Sequence, residues 1–431
     1  MKLCTTRNRN EFYGLEAAVM KGLGPDGGLF VPFHISKLEP AFLSNLKHYS
    51  FSEISYRICQ HLFNTLSEPV LRSMIDRSIT IPAPLVPIDG HIDVLELFHG
   101  PSLAFKDFGA RFMAQMMSYF NRTANKKLVI LVATSGDTGG AVATGFRGLE
   151  GIEVVILFPK GKVSALQQKQ LTTHGDNIAA IEIDGTFDDC QALVKQSFSD
   201  ASITSNIRLS SANSINIARL IPQSFYYFEG YKQLETSDQI TFSVPSGNFG
   251  NLTAGIIAKK LGLPIKHLVA ATNVNDIVPV YLASERFQPR PSRQTLSNAM
   301  DVGNPSNFDR MLYFYGSTWN DLRNDIHGHS YSDMQTIQAI KEVYERFEYL
   351  LDPHGAVAYL AARDYIRSFS HPVIVLETAH PSKFLDTVQY ATRKTFPLHP
   401  ILQKLTDLQE QFLPMSPNYE ELQTYLHERF N

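Results

Sequence analysis

LVILVATSGDTGGAVATGFRGLEGIEVVILF, residues 128–158, sets two unbroken apolar runs rich in β-branched residues on either side of a glycine-rich stretch of helix length. A strand covered on one face alternates apolar and polar residues. A run without alternation is buried on both faces, as in a parallel sheet lined by helices. The rhythm continues through KVSALQQKQLTTHG (162–175), IAAIEI (178–183) and FDDCQALVKQSF (187–198), and resumes with ITFSV (240–244), NLTAGIIAKKLG (251–262) and HLVAAT (267–272). Strand and helix thus alternate from Leu128 to Thr272, which gives an α/β fold whose ligands lie beyond the carboxyl ends of the strands.

On the N-terminal side the proline-rich IPAPLVPIDG (81–90) reads as a crossing segment that closes a mostly helical unit over 1–85. Residues 86–431 then form the catalytic region, built of two α/β subdomains. From 287 to 328 the composition turns to Pro, Asn and Ser (PRPSRQTLSNAMDVGNPSNF), which predicts an irregular insertion. A helix around DMQTIQAIKEVYERF and a strand at PVIVLE restore the pattern.

With 44% hydrophobic and only 19% charged residues, the 431-residue chain has the composition of a large folded core rather than a disordered one. A net charge of −3, with both signs interspersed, offers no footprint for nucleic acid or an anionic membrane. The expected partner is a small molecule. Three widely spaced cysteines, Cys4, Cys59 and Cys190, fit neither a disulfide framework nor a zinc set. The N-terminus carries no apolar signal core, and no apolar run approaches the length of a membrane span. The expectation is a cytoplasmic chain with no metal.

Five segments carry chemistry. FHGPSLAFKDFGARF (98–112) puts Lys106 in a turn just ahead of a helix. A lysine whose amine is desolvated and uncharged is a nucleophile toward a carbonyl, and the aldehyde cofactor that exploits this is pyridoxal phosphate. VPSGNFGNLTAG (244–255) is a strand, a glycine turn and a helix start, where Gly247 and Gly250 let N–H groups converge on a phosphate. A bulky residue at Gly250 is expected to push the backbone off the anion and to meet a positive φ. An ordinary tight turn would read the same way. VATSGDTGGAV (132–142) gathers the hydroxyls of Thr134, Ser135 and Thr138 at a strand end, suited to a carboxylate, unless Asp137 or Thr138 simply caps the helix. SANSINIARLIPQ (211–223) offers Asn213, Ser214 and Arg219 as donors to a phosphate, with a surface ion pair for Arg219 as the competing reading. VIVLETAHPSKF (373–384) brings Thr378 to a strand end, where its hydroxyl can meet a heterocycle nitrogen or act as a cap, while His380 before Pro381 reads as structural.

Taken in chain order, LAFKDFG, TSGDTGG, SANSINIAR, SGNFGN and ETAHPSKF, together with GLGPDGGLFVP (22–32), resemble the motifs of the threonine synthase family over essentially the whole chain. The resemblance implies a pyridoxal 5'-phosphate enzyme of the tryptophan synthase β-like fold (fold type II), which converts O-phospho-L-homoserine and water to L-threonine and phosphate. Lys106 then matches the lysine that bonds the cofactor. Gly247, Asn248, Phe249, Gly250 and Asn251 match the loop holding its phosphate, and Thr378 matches the partner of its pyridine nitrogen. Ser135 and Thr138 fall where the substrate carboxylate is held, and Asn213, Ser214 and Arg219 where its phosphate is held. Asp137 stands where other branches carry Asn beside the cofactor's phenolic oxygen, so it is expected to point away or to hold a proton. The family also implies a monomer. A threonine or serine dehydratase of the same fold is the nearest alternative, and a ligand-sensing relative without catalysis the other.

Overall fold

The computed structural model describes residues 1–134, 136–234 and 238–430. Among these residues the strands are β1 (Leu3–Thr5), β2 (Phe30–Pro32), β3 (Leu85–Asp89), β4 (Ile92–Glu96), β5 (Leu128–Ala133), β6 (Ile152–Pro159), β7 (Ile178–Ile183), β8 (Arg208–Ser211), β9 (Ile240–Pro245), β10 (Ile265–Thr272), β11 (Ile326–Ser330), β12 (Val373–Glu377) and β13 (Leu413–Met415). Two of them, β1 and β2, pair antiparallel near the N-terminus.

The alternating stretch is divided between two sheets. One is parallel throughout, in the order β13-β7-β6-β5-β8. The other has the order β11-β10-β9-β12-β4-β3 and is parallel except for the antiparallel edge pair β3–β4. The chain leaves the larger sheet after β4, builds most of the smaller sheet, and returns at β9. A crevice between the carboxyl ends of the two sheets follows from that path.

Every residue of β5, β9 and β12 is buried, as the absence of alternation requires. Neighbouring residues of β5 serve different cores. Leu128, Ile130 and Val132 join the main core with Phe112 and Met116, whereas Val129, Leu131 and Ala133 face Leu193 and Ile203 on the opposite side. Truncating Ile130 or Leu131 to Ala would cost about 2–5 kcal/mol.

The N-terminal region has no core of its own. Helices Phe51–Leu62 and Glu68–Ser78 pack on helix Lys106–Asn121, with the Phe63 ring stacked 6.1 Å from Phe112 and Phe51 5.9 Å from Phe108. Arg310, fully buried, ties three regions together. Its guanidinium donates to Phe30 O (2.9 Å), Ser214 O (3.1 Å), Ile215 O (2.6 Å) and Asn307 Oδ1 (2.8 Å).

The segment expected to be irregular over 287–328 is so only in its first half. A short 3₁₀ turn at Asn298–Met300 is followed by helices Phe308–Phe314 and Trp319–Asp325, and then by β11. Phe308, Met311 and Leu322 are buried there. The helix-spaced Phe308 and Met311 were masked by the proline- and asparagine-rich text before them. No helix among the described residues is long and apolar enough to cross a membrane.

Candidate active site

Lys106 is the first residue of helix Lys106–Asn121. The loop before it is fastened to the end of β12 by an isolated bridge between Ala104 and Ala379, in which Phe105 N donates to Thr378 O (2.9 Å) and His380 N to Leu103 O (3.0 Å). Leu103 adopts φ +55°, and this left-handed residue turns the chain into the bridge. One short ribbon therefore fixes the reactive lysine beside Thr378. Thr378 is buried and does not cap the turn that follows it. His380 caps instead, its Nδ1 accepting from Ser382 N at 3.0 Å.

Around Lys106 the charges are arranged closely. Its Nζ lies 3.3 Å from Asp137 Oδ2, while the other oxygen, Oδ1, takes Lys383 Nζ at 2.7 Å and Gln167 Nε2 at 3.1 Å. Burial would raise the Asp137 carboxyl, but Lys383 and then Lys106 overcome it and hold the group far below the usual carboxylate range. Asp137 therefore neither points away nor holds a proton, as its sequence context suggested. It aims at Lys106 with its charge intact, because a second lysine compensates it. The Lys106 amine is held below its ordinary range, by burial first and by Lys383 and Arg219 next, against the pull of Asp137. A depressed lysine is one with more of its neutral, nucleophilic form.

Lys383 and Gln167 were not foreseen. Lys383 lies inside the ETAHPSKF segment; its side chain is 1% exposed, and its ammonium also donates to Ser102 O at 2.9 Å. Gln167 is the third residue of a helix whose N-cap, Ser164, forms a reciprocal capping box with it. Three residues of spacing, S-x-x-Q, announced the cap, but nothing in the sequence announced what the same amide would touch.

The two glycine turns differ. In 134–140 the cap is supplied by Thr134, whose hydroxyl accepts from Gly136 N (3.0 Å) and Gly139 N (2.9 Å), so Asp137 and Thr138 are free for other work. Gly136 has φ +141°, and a Cβ there would stand 2.6 Å from the Gln167 amide. Ser135 lies outside the described residues. In 246–252 no side chain caps helix Gly250–Lys260, and the N–H groups from Gly247 to Leu252 find no acceptor among the described residues. The left-handed residue is Phe249 (φ +58°) and not Gly250, whose added Cβ would meet only Asn307 and Ser214 at ordinary contact. Gly247 is the sterically constrained one, since its Cβ would lie 2.7 Å from Met300 Cα.

SANSINIAR comes to this same turn. Ser214 Oγ accepts from Asn248 Nδ2 at 2.6 Å, and Asn248 Oδ1 accepts from Ser306 N at 2.6 Å. Asn251 is turned the other way. Its carboxamide oxygen accepts from Tyr226 (2.7 Å) and Tyr227 (3.0 Å), leaving Nδ2 buried without a partner. The Asn213 side-chain oxygen is likewise buried and unpartnered. Arg219 is 3% exposed, donates to Ala212 O, and has no carboxylate within ion-pair distance among the described residues. Burial pushes it down to about 10, against the pull of Asp107. It is not a surface ion pair.

A family model for pyridoxal-phosphate dependent enzymes matches residues 84–377, and models for the threonine synthase N terminus and the threonine synthase C-terminal region match 2–79 and 355–426. The threonine synthase of Haemophilus influenzae is 45% identical over 429 residues, which cover 99% of each chain. The chain belongs to the threonine synthase family. The crystal structure of the Escherichia coli threonine synthase superposes with a TM-score of 0.92 at 41% identity, over 99% of this chain and 100% of that one. A pyridoxal-phosphate-bound threonine synthase from Brucella melitensis gives 0.93 at 34% identity over 100% of both. The fold is accordingly that of the fold type II pyridoxal-phosphate enzymes.

The residues present fit that cofactor on their own chemistry. Lys106 offers a depressed amine to an aldehyde. The uncapped N–H groups of the Gly247–Asn251 turn suit a phosphate. Thr378 offers a buried, neutral hydroxyl at the end of β12, held beside Lys106 by the Ala104–Ala379 bridge.

Proposed function

We propose that this chain converts O-phospho-L-homoserine and water to L-threonine and inorganic phosphate, with Lys106 holding pyridoxal 5'-phosphate and moving the protons. The observation that carries the reading is a desolvated lysine, tethered to Asp137, beside a separate buried arginine that makes no ion pair among the described residues. When bound, the cofactor supplies an electron sink that makes the substrate's Cα–H acidic.

The chain's own residues do the rest. Lys106, once its amine is free, takes the proton from Cα and helps remove one from Cβ; it returns protons at Cγ and Cα after water has entered at Cβ. Asp137 orients that amine. Thr378 would partner the heterocycle nitrogen with a neutral hydroxyl, which would not hold it protonated as a carboxylate would, and this would favour elimination and replacement over transamination. Gly247, Asn248, Phe249, Gly250 and Asn251 contribute the N–H groups for the cofactor phosphate. Ser135 and Thr138 hold the substrate carboxylate. Arg219, with Asn213 and Ser214, holds the substrate phosphate, which is both a handle and the leaving group.

The N-terminal region, through the bond from Arg310 to Phe30 O, and the segments of both sheets that carry the site residues meet within one chain, which supports a monomer as the functional unit. Three buried free cysteines support a reducing, cytoplasmic setting. The division at residue 85, with two α/β subdomains beyond it, belongs to the same reading.

The test is turnover in oxygen-18 water, with threonine and phosphate assayed together. Label should enter the threonine hydroxyl and stay out of the phosphate, because the bond from Cγ to oxygen breaks while water adds at Cβ. Unlabelled threonine, or no phosphate release, would refute the reading.

A further inference from the structure

Lys383 has no task in the chemistry above, yet it occupies one of the most enclosed positions in the site. Its ammonium sits between Asp137 Oδ1 (2.7 Å) and Ser102 O (2.9 Å). Burying an ammonium costs several kcal/mol unless a counter-charge compensates it, so a lysine that only tied two loops would be a poor solution beside a neutral donor. The compensating charge is Asp137, and Asp137 is already engaged with Lys106 through its other oxygen. One carboxylate is thus shared by two ammonium groups.

The sharing has two physical effects. Whatever proton Lys106 gains or loses, Asp137 keeps one fixed cation and stays ionised. Lys106 has only part of the carboxylate and feels the repulsion of Lys383, so its charged form is less favoured than in an isolated buried pair. The other titratable or charged groups facing this array are few. Arg219 faces Lys106 from helix Ile217–Leu220, and His354 faces Asp137 from helix Pro353–Ile366. Asp107, on the lysine's own helix, accepts from Ser102 N (2.9 Å) and is pushed up to about 6 by burial, against Lys383 and Arg111. None of these replaces Lys383 on Asp137.

We propose that Lys383 is a positioning residue for Lys106: by holding the far oxygen of Asp137 it keeps that carboxylate charged and frees the Lys106 amine to act as nucleophile and base. The inference rests on Lys106 being the cofactor-bearing lysine, and it adds a residue whose effect reaches the reaction only through Asp137.

The experiment uses the full chain freed of cofactor. Lys106 is labelled with trace acetic anhydride from about pH 6 to about pH 10, and its modification is read by peptide mass spectrometry. Lys383→Gln keeps donors for Asp137 and Ser102 and removes the charge; Lys383→Met removes both. At about pH 8 Lys106 should react roughly tenfold more slowly in both variants than in the parent, and the difference should vanish near about pH 10. Lys383→Arg should label like the parent. A structural role would instead change labelling by the same factor at every pH, and that outcome, or unchanged labelling in folded Lys383→Gln, overturns the proposal. The labelling itself needs no turnover, and phosphate release is assayed separately. A protein that labels as expected but releases no phosphate from O-phosphohomoserine would leave Lys383 in place and defeat the functional reading alone.

Discussion

Two clusters of buried charge flank the end of β12, and they are built on opposite principles. On one side Asp137 is shared by Lys106 and Lys383. On the other, Glu377 and Asp352 meet without a lysine or arginine within ion-pair distance among the described residues. Glu377 Oε1 accepts from Asp352 N at 2.6 Å, its Oε2 has no partner, and a Cβ on Gly355 would stand 1.4 Å from that oxygen. Burial, and next the charge of Asp352, push the Glu377 carboxyl well up, so it is held protonated. The Asp137 cluster keeps an opening through Lys106, whose side chain is 17% exposed, whereas Glu377 is sealed. Burial with a displaced carboxyl is common to both. What separates a working cluster from a supporting one is a mobile proton and a route to it.

The contrast is broken most directly at Lys106. Lys106→Ala should cut phosphate release roughly a thousandfold or more and abolish the visible absorbance of bound cofactor, while the chain still folds on the remaining Lys383–Asp137 pair. If cofactor could still be fixed to the variant with borohydride, another lysine would be the carrier.

Asp137→Asn leaves two buried lysines without their counter-charge and should cost about 3–5 kcal/mol of stability near neutral pH, read as a shift of the urea midpoint. The sign with pH follows from the depressed carboxyl. Its stabilisation is present above the unfolded value of about 4 and is lost as pH falls toward the lower folded value, so parent and variant should converge in acid. A gap that persisted or widened in acid would contradict an ionised Asp137.

Arg219 belongs to the working side, since it is buried with no carboxylate within ion-pair distance among the described residues. Arg219→Ala should lower kcat/KM for O-phosphohomoserine by about 2–5 kcal/mol in transition-state terms, with the cofactor spectrum intact, and Lys in its place should rescue in part. A near-parental value would favour a dehydratase, which needs no second phosphate site.

The smallest effect is expected at Glu377. A carboxyl whose folded value is raised stabilises the protein below its unfolded value, and that contribution disappears as pH rises through the folded one. Glu377→Gln should therefore gain on the parent above about pH 5, by on the order of 1 kcal/mol at most, with turnover unchanged. A variant that weakened steadily with rising pH would mean that Glu377 is ionised in the native protein.

The sequence was most readable where chemistry is local. Lys106 before its helix, the Gly247–Asn251 turn and the SANSINIAR donors all lie in contiguous segments, and each is found at the carboxyl end of a strand. Long-range pairing was not readable. Asp137 looked anomalous because its partner, Lys383, lies 246 positions away in the chain and nothing in its own motif signals a second lysine. The same holds for the Asn251 amide, committed to Tyr226 and Tyr227 on a preceding helix. The α/β class could be read from strands such as LVILVA, but the division of 128–272 into two sheets could not, because apolar runs report burial and not which neighbour they pair with.

Arg310 changes how the molecule can be dissected. All five of its N–H groups are spent on neutral oxygens, and two of them, on Nε (3.1 Å) and Nη2 (2.9 Å), go to Phe30 O in the N-terminal hairpin. A fragment beginning at residue 85 would strand a guanidinium behind Ser214, at the wall of the Gly247–Asn251 turn. Such a fragment should take up no pyridoxal phosphate by spectral titration, even though Lys106, Thr378 and the glycine loop all remain in it. The first 85 residues are then not an appendage that a minimal catalyst could shed, and any shortened version of this enzyme must rebuild the carbonyl of Phe30 before it rebuilds the pocket.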